Sequence, residues 1–170
     1  PELGASGYAA VLRDLVAAGR APDHVVHLWQ LTATERFRPG SSFFHQNLQN
    51  GFYSLYFLAK AIGEEDFAHP LQIDVVSNGM QRIGDADELA YPEKATLLGP
   101  VQVIPREFAD VRCRSIDVAL PEKQGLSLRS LMPGIGAETA REDRPANLDE
   151  VAEQLAREVV ARDATEVIAH

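Results

Sequence analysis

Ser77, Tyr91 and Lys94 are the residues of this chain whose types and order could do chemistry. A Tyr phenol can give a proton to a substrate carbonyl. A nearby Lys lowers the pKa of that phenol, and a Ser on the preceding strand can hold the carbonyl. The three follow an Asn-bearing helix over His45–Ile62 and precede an apolar run, the order in which a carbonyl-reducing site is assembled. Ser77 and Tyr91 are 14 positions apart, which suits such a site. Tyr91 and Lys94 are three apart, one short of the required spacing, with Pro92 between them. Pro92 suits a helix start, so Tyr91 is expected ahead of that helix and off the face that carries Lys94. The spacing favours a Tyr packed at a helix start and a solvated Lys over a catalytic pair.

The parts that would hold a nucleotide are missing from the pattern. The close glycine pair Gly134-Ile135-Gly136 follows Pro133, with no strand before it and no third glycine at the needed distance. Such a stretch does not cradle pyrophosphate, so no cofactor is expected in this segment. His24 and His27, three apart on a strand, point to opposite faces and cannot share a metal. His45, His69 and His170 stand alone, and no metal is expected. Cys113 lies within a strand without a paired His and reads as a core thiol. Glu64-Glu65-Asp66 reads as a solvated loop, and Trp29 and the Phe residues fit a core.

Strands and helices alternate around these positions. Ser6 caps a helix to about Ala18, with Gly19 as its stop. His24–Leu31, Leu71–Ser77 and Val111–Val118 are apolar strands. A long helix runs from Ser42 to Ile62 with Phe44, Leu48, Phe52, Leu55, Ala59 and Ile62 on its inner face, ended by Gly63. Another starts near Pro92 and breaks near Gly99-Pro100. An irregular excursion fills about 119–147. Asn147, paired with Glu150, opens a last helix whose stripe is Leu148, Val151, Ala152, Leu155 and Val159. Val167-Ile168-Ala169 reads as a strand cut short by the chain end.

Strands apolar on both faces mean a mostly parallel sheet with helices on both sides. Residues 1–170 form one domain of this α/β kind. Three full strands are visible where a dinucleotide-binding sheet has six or seven, so the unit is truncated. A net charge of −9 with no basic run argues against nucleic acid. The apolar runs are too short to cross a membrane, and a single Cys favours a reducing, cytoplasmic setting. A start at Pro1 without Met fits a piece of something longer.

Several linked motifs carry a resemblance over nearly the whole chain. They are His27-Leu28-Trp29, Gly51-Phe52-Tyr53-Ser54-Leu55, Val76-Ser77-Asn78-Gly79 and Pro92-Glu93-Lys94-Ala95-Thr96, then Gly99 to Phe108 and Cys113-Arg114-Ser115-Ile116-Asp117. Together they resemble the N-terminal structural subdomain of the ketoreductase region of type I polyketide synthases. The resemblance implies a truncated Rossmann unit without cofactor or catalytic residues. It implies an adjacent catalytic subdomain in the same polypeptide that binds NADPH and reduces β-keto groups on acyl carrier protein. Neighbouring synthase domains and that carrier protein are the implied partners. The alternative is a divergent short-chain reductase acting itself through Ser77, Tyr91 and Lys94.

An incomplete sheet needs cover, and the helix over Ser42–Ile62 is the expected docking surface. Besides its inner stripe it carries Phe43, Tyr53, Tyr56, Phe57 and Leu58, so apolar residues wrap more than half of it. Tyr53, Tyr56 and Phe57 are the docking candidates.

Overall fold

The computed structural model describes residues 4–32, 41–65, 70–82, 89–121, 147–161 and 168–169. The apolar runs become parallel strands because helical crossovers, not hairpins, join them. β1 (His24–Gln30), β2 (Leu71–Asn78), β3 (Val111–Val118) and the two-residue β4 (Ile168–Ala169) lie side by side in that order, all parallel. The β2–β3 register is unbroken from Leu71 opposite Val111 to Asn78 opposite Val118. The β1–β2 register slips between His27 and Gln30.

Both sheet faces are covered. On one, Leu71, Ile73, Val75 and Val111 pack against Leu12 of α1 (Ala5–Ala17), Leu55, Leu58 and Ile62 of α3 (Ser54–Glu64), and Val101 and Ile104 of α4 (Leu98–Glu107). On the other, Val76, Ile116 and Val118 lie under Val151, Leu155 and Val159 of α5 (Leu148–Val160). Burial from both sides is why β2 and β3 carry apolar residues on both faces, and why the polar residues between them are buried too. The crossovers β1→β2 and β2→β3 advance across the first face. The crossover through α5 continues in the same direction over the opposite face, so its hand is reversed relative to them. Such a reversal departs from the usual single-handed rule. No described helix is long and apolar enough to cross a membrane.

Helix ends follow local chemistry. Gly19, at φ 67, terminates α1: its N–H donates to the Val16 carbonyl, and that of Arg20 to Leu15. The N-cap of α1 is Gly4, not Ser6. Asn147 Oδ1 accepts from the Glu150 N–H at 2.9 Å, as the capping pair predicts. Leu148, expected on the inner stripe of α5, faces solvent in the first turn. Pro92–Leu97 form a 3₁₀ turn, and the pitch changes to α at Leu98, just ahead of the expected break. Pro100 is tolerated because the first N–H groups of a helix have no partner in any case. The excursion at about 119–147 lies outside the described residues except at its two ends.

The long helix differs from expectation in an instructive way. It runs as α2 (Ser41–Leu48), a π turn (Gln49–Tyr53) and α3, and ends at Glu64, one residue past Gly63. The inner face is Phe43, Asn47, Gly51, Leu55, Leu58 and Ile62. Phe44, expected inside, is 42% exposed, whereas Phe43 is 8% exposed. The π turn absorbs one residue, so the inner face of α2 is displaced by one position from a regular α stripe. Trp29, also expected in the core, is largely exposed on β1.

Asp74 and Arg114 are charged residues inside these apolar strands, and they pair. Arg114 Nε and Nη2 donate to the two Asp74 carboxylate oxygens at 2.6 and 2.9 Å. Arg114 also donates to the carbonyls of Glu158 and Ala161, tying the end of α5 to the sheet. Burial alone would raise the Asp74 pKa. Hydrogen bonds from Arg114, Gln72 and His24, with the Arg114 charge, outweigh it and hold the carboxyl below its ordinary value. Arg114→Met leaves the fully buried Asp74 carboxylate without its guanidinium partner, with His24 and Gln72 still bonded to it, and is expected to lower unfolding free energy in urea by about 3 kcal/mol.

Candidate functional site

The carboxyl ends of parallel strands are where open α/β sheets bind ligands. Here that end is filled by the protein's own side chains. The 3₁₀ turn at Pro92 carries Lys94 inward, over the ends of β1 and β2. Its Nζ is within hydrogen-bond distance of Gln30 O (2.8 Å), Thr32 Oγ1 (2.9 Å), Asn78 O (3.0 Å) and Asn78 Oδ1 (2.9 Å). Four acceptors are more than three N–H groups can serve singly. Lys94 is 0% exposed, so the expectation of a solvated Lys is wrong. The sequence spacing missed this because a buried cation needs acceptors, and these are two main-chain carbonyls and two side-chain oxygens that only the fold brings together.

Tyr91 lies just ahead of the 3₁₀ turn, as Pro92 predicts, and is buried. Its N–H donates to Gly79 O at 2.8 Å, and its ring packs against Phe43 with centroids 5.9 Å apart. It does meet Lys94, contrary to the face argument: Nζ sits 4.5 Å from the ring centroid. A 3₁₀ turn has three residues per turn, so Lys94 comes back over Tyr91, which stands at the N-cap of the turn.

Ser77 Oγ donates to Asp117 Oδ1 at 2.7 Å. Asp117 Oδ2 accepts from the N–H groups of Met80 and Gln81 at 3.0 and 2.8 Å, closing the turn after β2. The single Ser77 proton is thereby committed within the fold, and Asp117 was not anticipated from the sequence. Its signal was present: an Asp between Ile116 and Val118 on a strand must be paired if buried.

Among the described residues, the turn after β2 leaves no open cradle for a nicotinamide dinucleotide. Gly79 is the described glycine that directly follows a strand. A Cβ built there would lie 2.9 Å from the Tyr91 ring, so the space beside it is occupied. Gly134 and Gly136 lie outside the described residues.

His24 and His27 point to opposite faces, as expected. His24 Nε2 meets Asp74 at 2.8 Å, and His27 Nε2 meets Ser54 Oγ at 2.7 Å. Ser54 also donates to Asn50 O within the π turn, so His27 Nε2–H is the donor to Ser54. Burial pushes the His27 imidazole down to about 4. The Cys113 thiol, half-buried, is pushed up to about 12 by burial and by the Asp74 charge, and is no nucleophile. Tyr53 is 37% exposed and Tyr56 is 53% exposed; Phe57 is half-buried and stacks on Tyr53 at 6.3 Å. The docking candidates therefore form an aromatic cluster on the outer side of α3.

No family model matches this chain, and no curated protein matches it significantly. Solved structures do match. One is the adenylation, ketoreductase and pseudo-Asub multidomain structure of a keto acid-selecting NRPS module, at 22% identity and TM-score 0.69. The match covers 98% of this chain and 12% of that one. A second is a short-chain dehydrogenase/reductase from Serratia marcescens, at 13% identity and TM-score 0.60, covering all of this chain and 73% of that one. A third is the MalC reductase/Diels-Alderase of Malbranchea aurantiaca, at 16% identity and TM-score 0.64, covering 99% and 68%. The unit has the fold of the short-chain reductases. Within that fold it is a truncated Rossmann-like unit of few strands.

Lys94→Met removes the donor shared by Gln30, Thr32 and Asn78 and should destabilise the fold by about 1–3 kcal/mol, read by urea unfolding. Neutral His27 makes stability depend on pH. The unfolded chain takes up that proton near pH 6.5, the fold only near pH 4. The His27 contribution is therefore fully present above pH 6.5 and lost as pH falls toward 4, by roughly 3 kcal/mol. His27→Gln should flatten the unfolding free energy across that window.

Proposed function

We propose that this chain is the non-catalytic structural subdomain of a ketoreductase region in a type I polyketide synthase. In this reading it supports an adjacent NADPH-dependent catalytic subdomain of the same polypeptide, which reduces β-ketoacyl groups on acyl carrier protein. The observation that carries it is the commitment of the reductase-type donors: Lys94 serves four protein oxygens, and Ser77 serves Asp117. A substrate carbonyl would have to displace those bonds. Likeness to 12% of a ketoreductase-bearing multidomain module supports a role as one unit among many. The exposed aromatic cluster of Tyr53 and Tyr56, with Phe57, supports docking of the catalytic half against α3.

A second reading has one observation in its favour. Lys94 and Tyr91 touch, as a proton-donating pair would, so the chain could be a divergent reductase acting through Ser77, Tyr91 and Lys94. One pair of measurements separates the readings. Under the structural reading the isolated chain shows no saturable NADPH binding by calorimetry. Tyr91→Phe in the intact synthase then leaves ketoreduction almost unchanged. Loss of a catalytic proton donor would instead slow turnover by about a hundredfold or more. That loss in a folded variant, or micromolar NADPH binding by the isolated chain, would replace the structural reading with the enzymatic one.

A further inference from the structure

The sequence of α2–α3 fits two helix registers, and we propose that Gln30 selects between them. Counting from Phe43 to Ile62, the buried face spends 19 residues on five turns. A regular α-helix needs about 18. The π turn holds the extra residue. In a regular helix anchored by Leu55 and Ile62, the inner positions of α2 would instead be Phe44, Leu48 and Phe52. That stripe is wholly apolar. The observed one, Phe43, Asn47 and Gly51, is polar at Asn47 and bare at Gly51. Hydrophobicity alone favours the register that the protein does not use.

What opposes it is one side chain. Gln30, fully buried at the end of β1, donates from Nε2 to Asn47 O at 2.6 Å. That carbonyl lies where the π turn interrupts the α ladder, and an inserted donor of this kind is a known cause of helix irregularity. The fit is close. A Cβ added to Gly51 would lie 2.7 Å from Gln30 Nε2, so any larger residue there must displace the amide. On the far side of the turn, Ser54 Oγ donates to Asn50 O at 2.5 Å and accepts from His27. In the regular register Leu48 would replace Asn47 on the inner face, and the Gln30 amide would lose its carbonyl. The Gln30 main-chain carbonyl is meanwhile an acceptor for Lys94, which fixes where the residue sits. The device is thus a lock on a two-register helix, with Phe43 inside when closed and Phe44 inside when open. It goes beyond the docking role, because it decides which aromatic residues α2 displays to any neighbour.

Thiol labelling tests the lock in the whole chain. In a Cys113→Ser background, F43C and F44C each carry the sole thiol. With Gln30 intact, F43C should react with maleimide at least about tenfold more slowly than F44C, because a buried thiol reacts only through local opening. In Gln30→Leu the order should reverse. If F43C stays protected and F44C stays reactive, the π register does not depend on Gln30 and the proposal is overturned. If Gln30→Leu fails to fold, deleting Gln49 in that background decides the matter. The deletion removes the surplus residue, so a regular helix then keeps Phe43 inside. Recovery of folding with F43C protected supports the lock; failure to recover overturns it.

Discussion

A single buried amino group ties the carboxyl end of this sheet together. Lys94 Nζ reaches the last residue of β1, the residue that follows it by two, and the last residue of β2. Those segments are far apart in sequence, and beyond the Gln30–Ser77 pair they are otherwise joined by the Thr32 N–H donating to Asn78 Oδ1. The hydrogen bonds of a fully buried Lys are costly to leave unmade, so each acceptor is fixed once Lys94 is in place. Gln30, positioned by that contact, sets the π turn. The π turn in turn sets which side of α2 faces Tyr91 and which side of the helix faces outward.

The chemistry follows from that geometry. A reductase site needs a Ser proton and a Lys donor available to something outside the protein. Here the same residue types, in nearly the same order, are used inward. Ser77 is bonded to Asp117, which closes the turn after β2, and the Tyr91 ring fills the space beside Gly79. A reductase fold with its donors turned inward is coherent as a structural unit.

Much of the fold was legible from the residues, because periodicity and turn chemistry are local. The strands around Ile73 and Ile116, the stop at Gly19 and the cap at Asn147 all stand as read. Three things were hidden. Lys94 was read as solvated because its acceptors, two main-chain carbonyls and two side-chain oxygens, come from distant segments. The stripe of α2 was read one residue out because a π turn has no composition signal, only a Gln 17 residues upstream that inserts into it. The Asp74–Arg114 pair was visible as two charges in apolar runs, but only the parallel register of β2 and β3 places them opposite each other. The site was less legible than the fold for a common reason: its contacts are set by sheet register and by close approach of backbones, which sequence spacing does not encode.

Chemical accessibility of Lys94 tests the central claim most directly. Reductive methylation of the folded chain, read residue by residue by mass spectrometry, compares Lys94 with the exposed Lys60. A Lys94 that serves only the fold stays unmodified while Lys60 is methylated, and added NADPH changes nothing. Rapid methylation of Lys94 that NADPH suppresses would mean an open, cofactor-facing amine and would contradict the account.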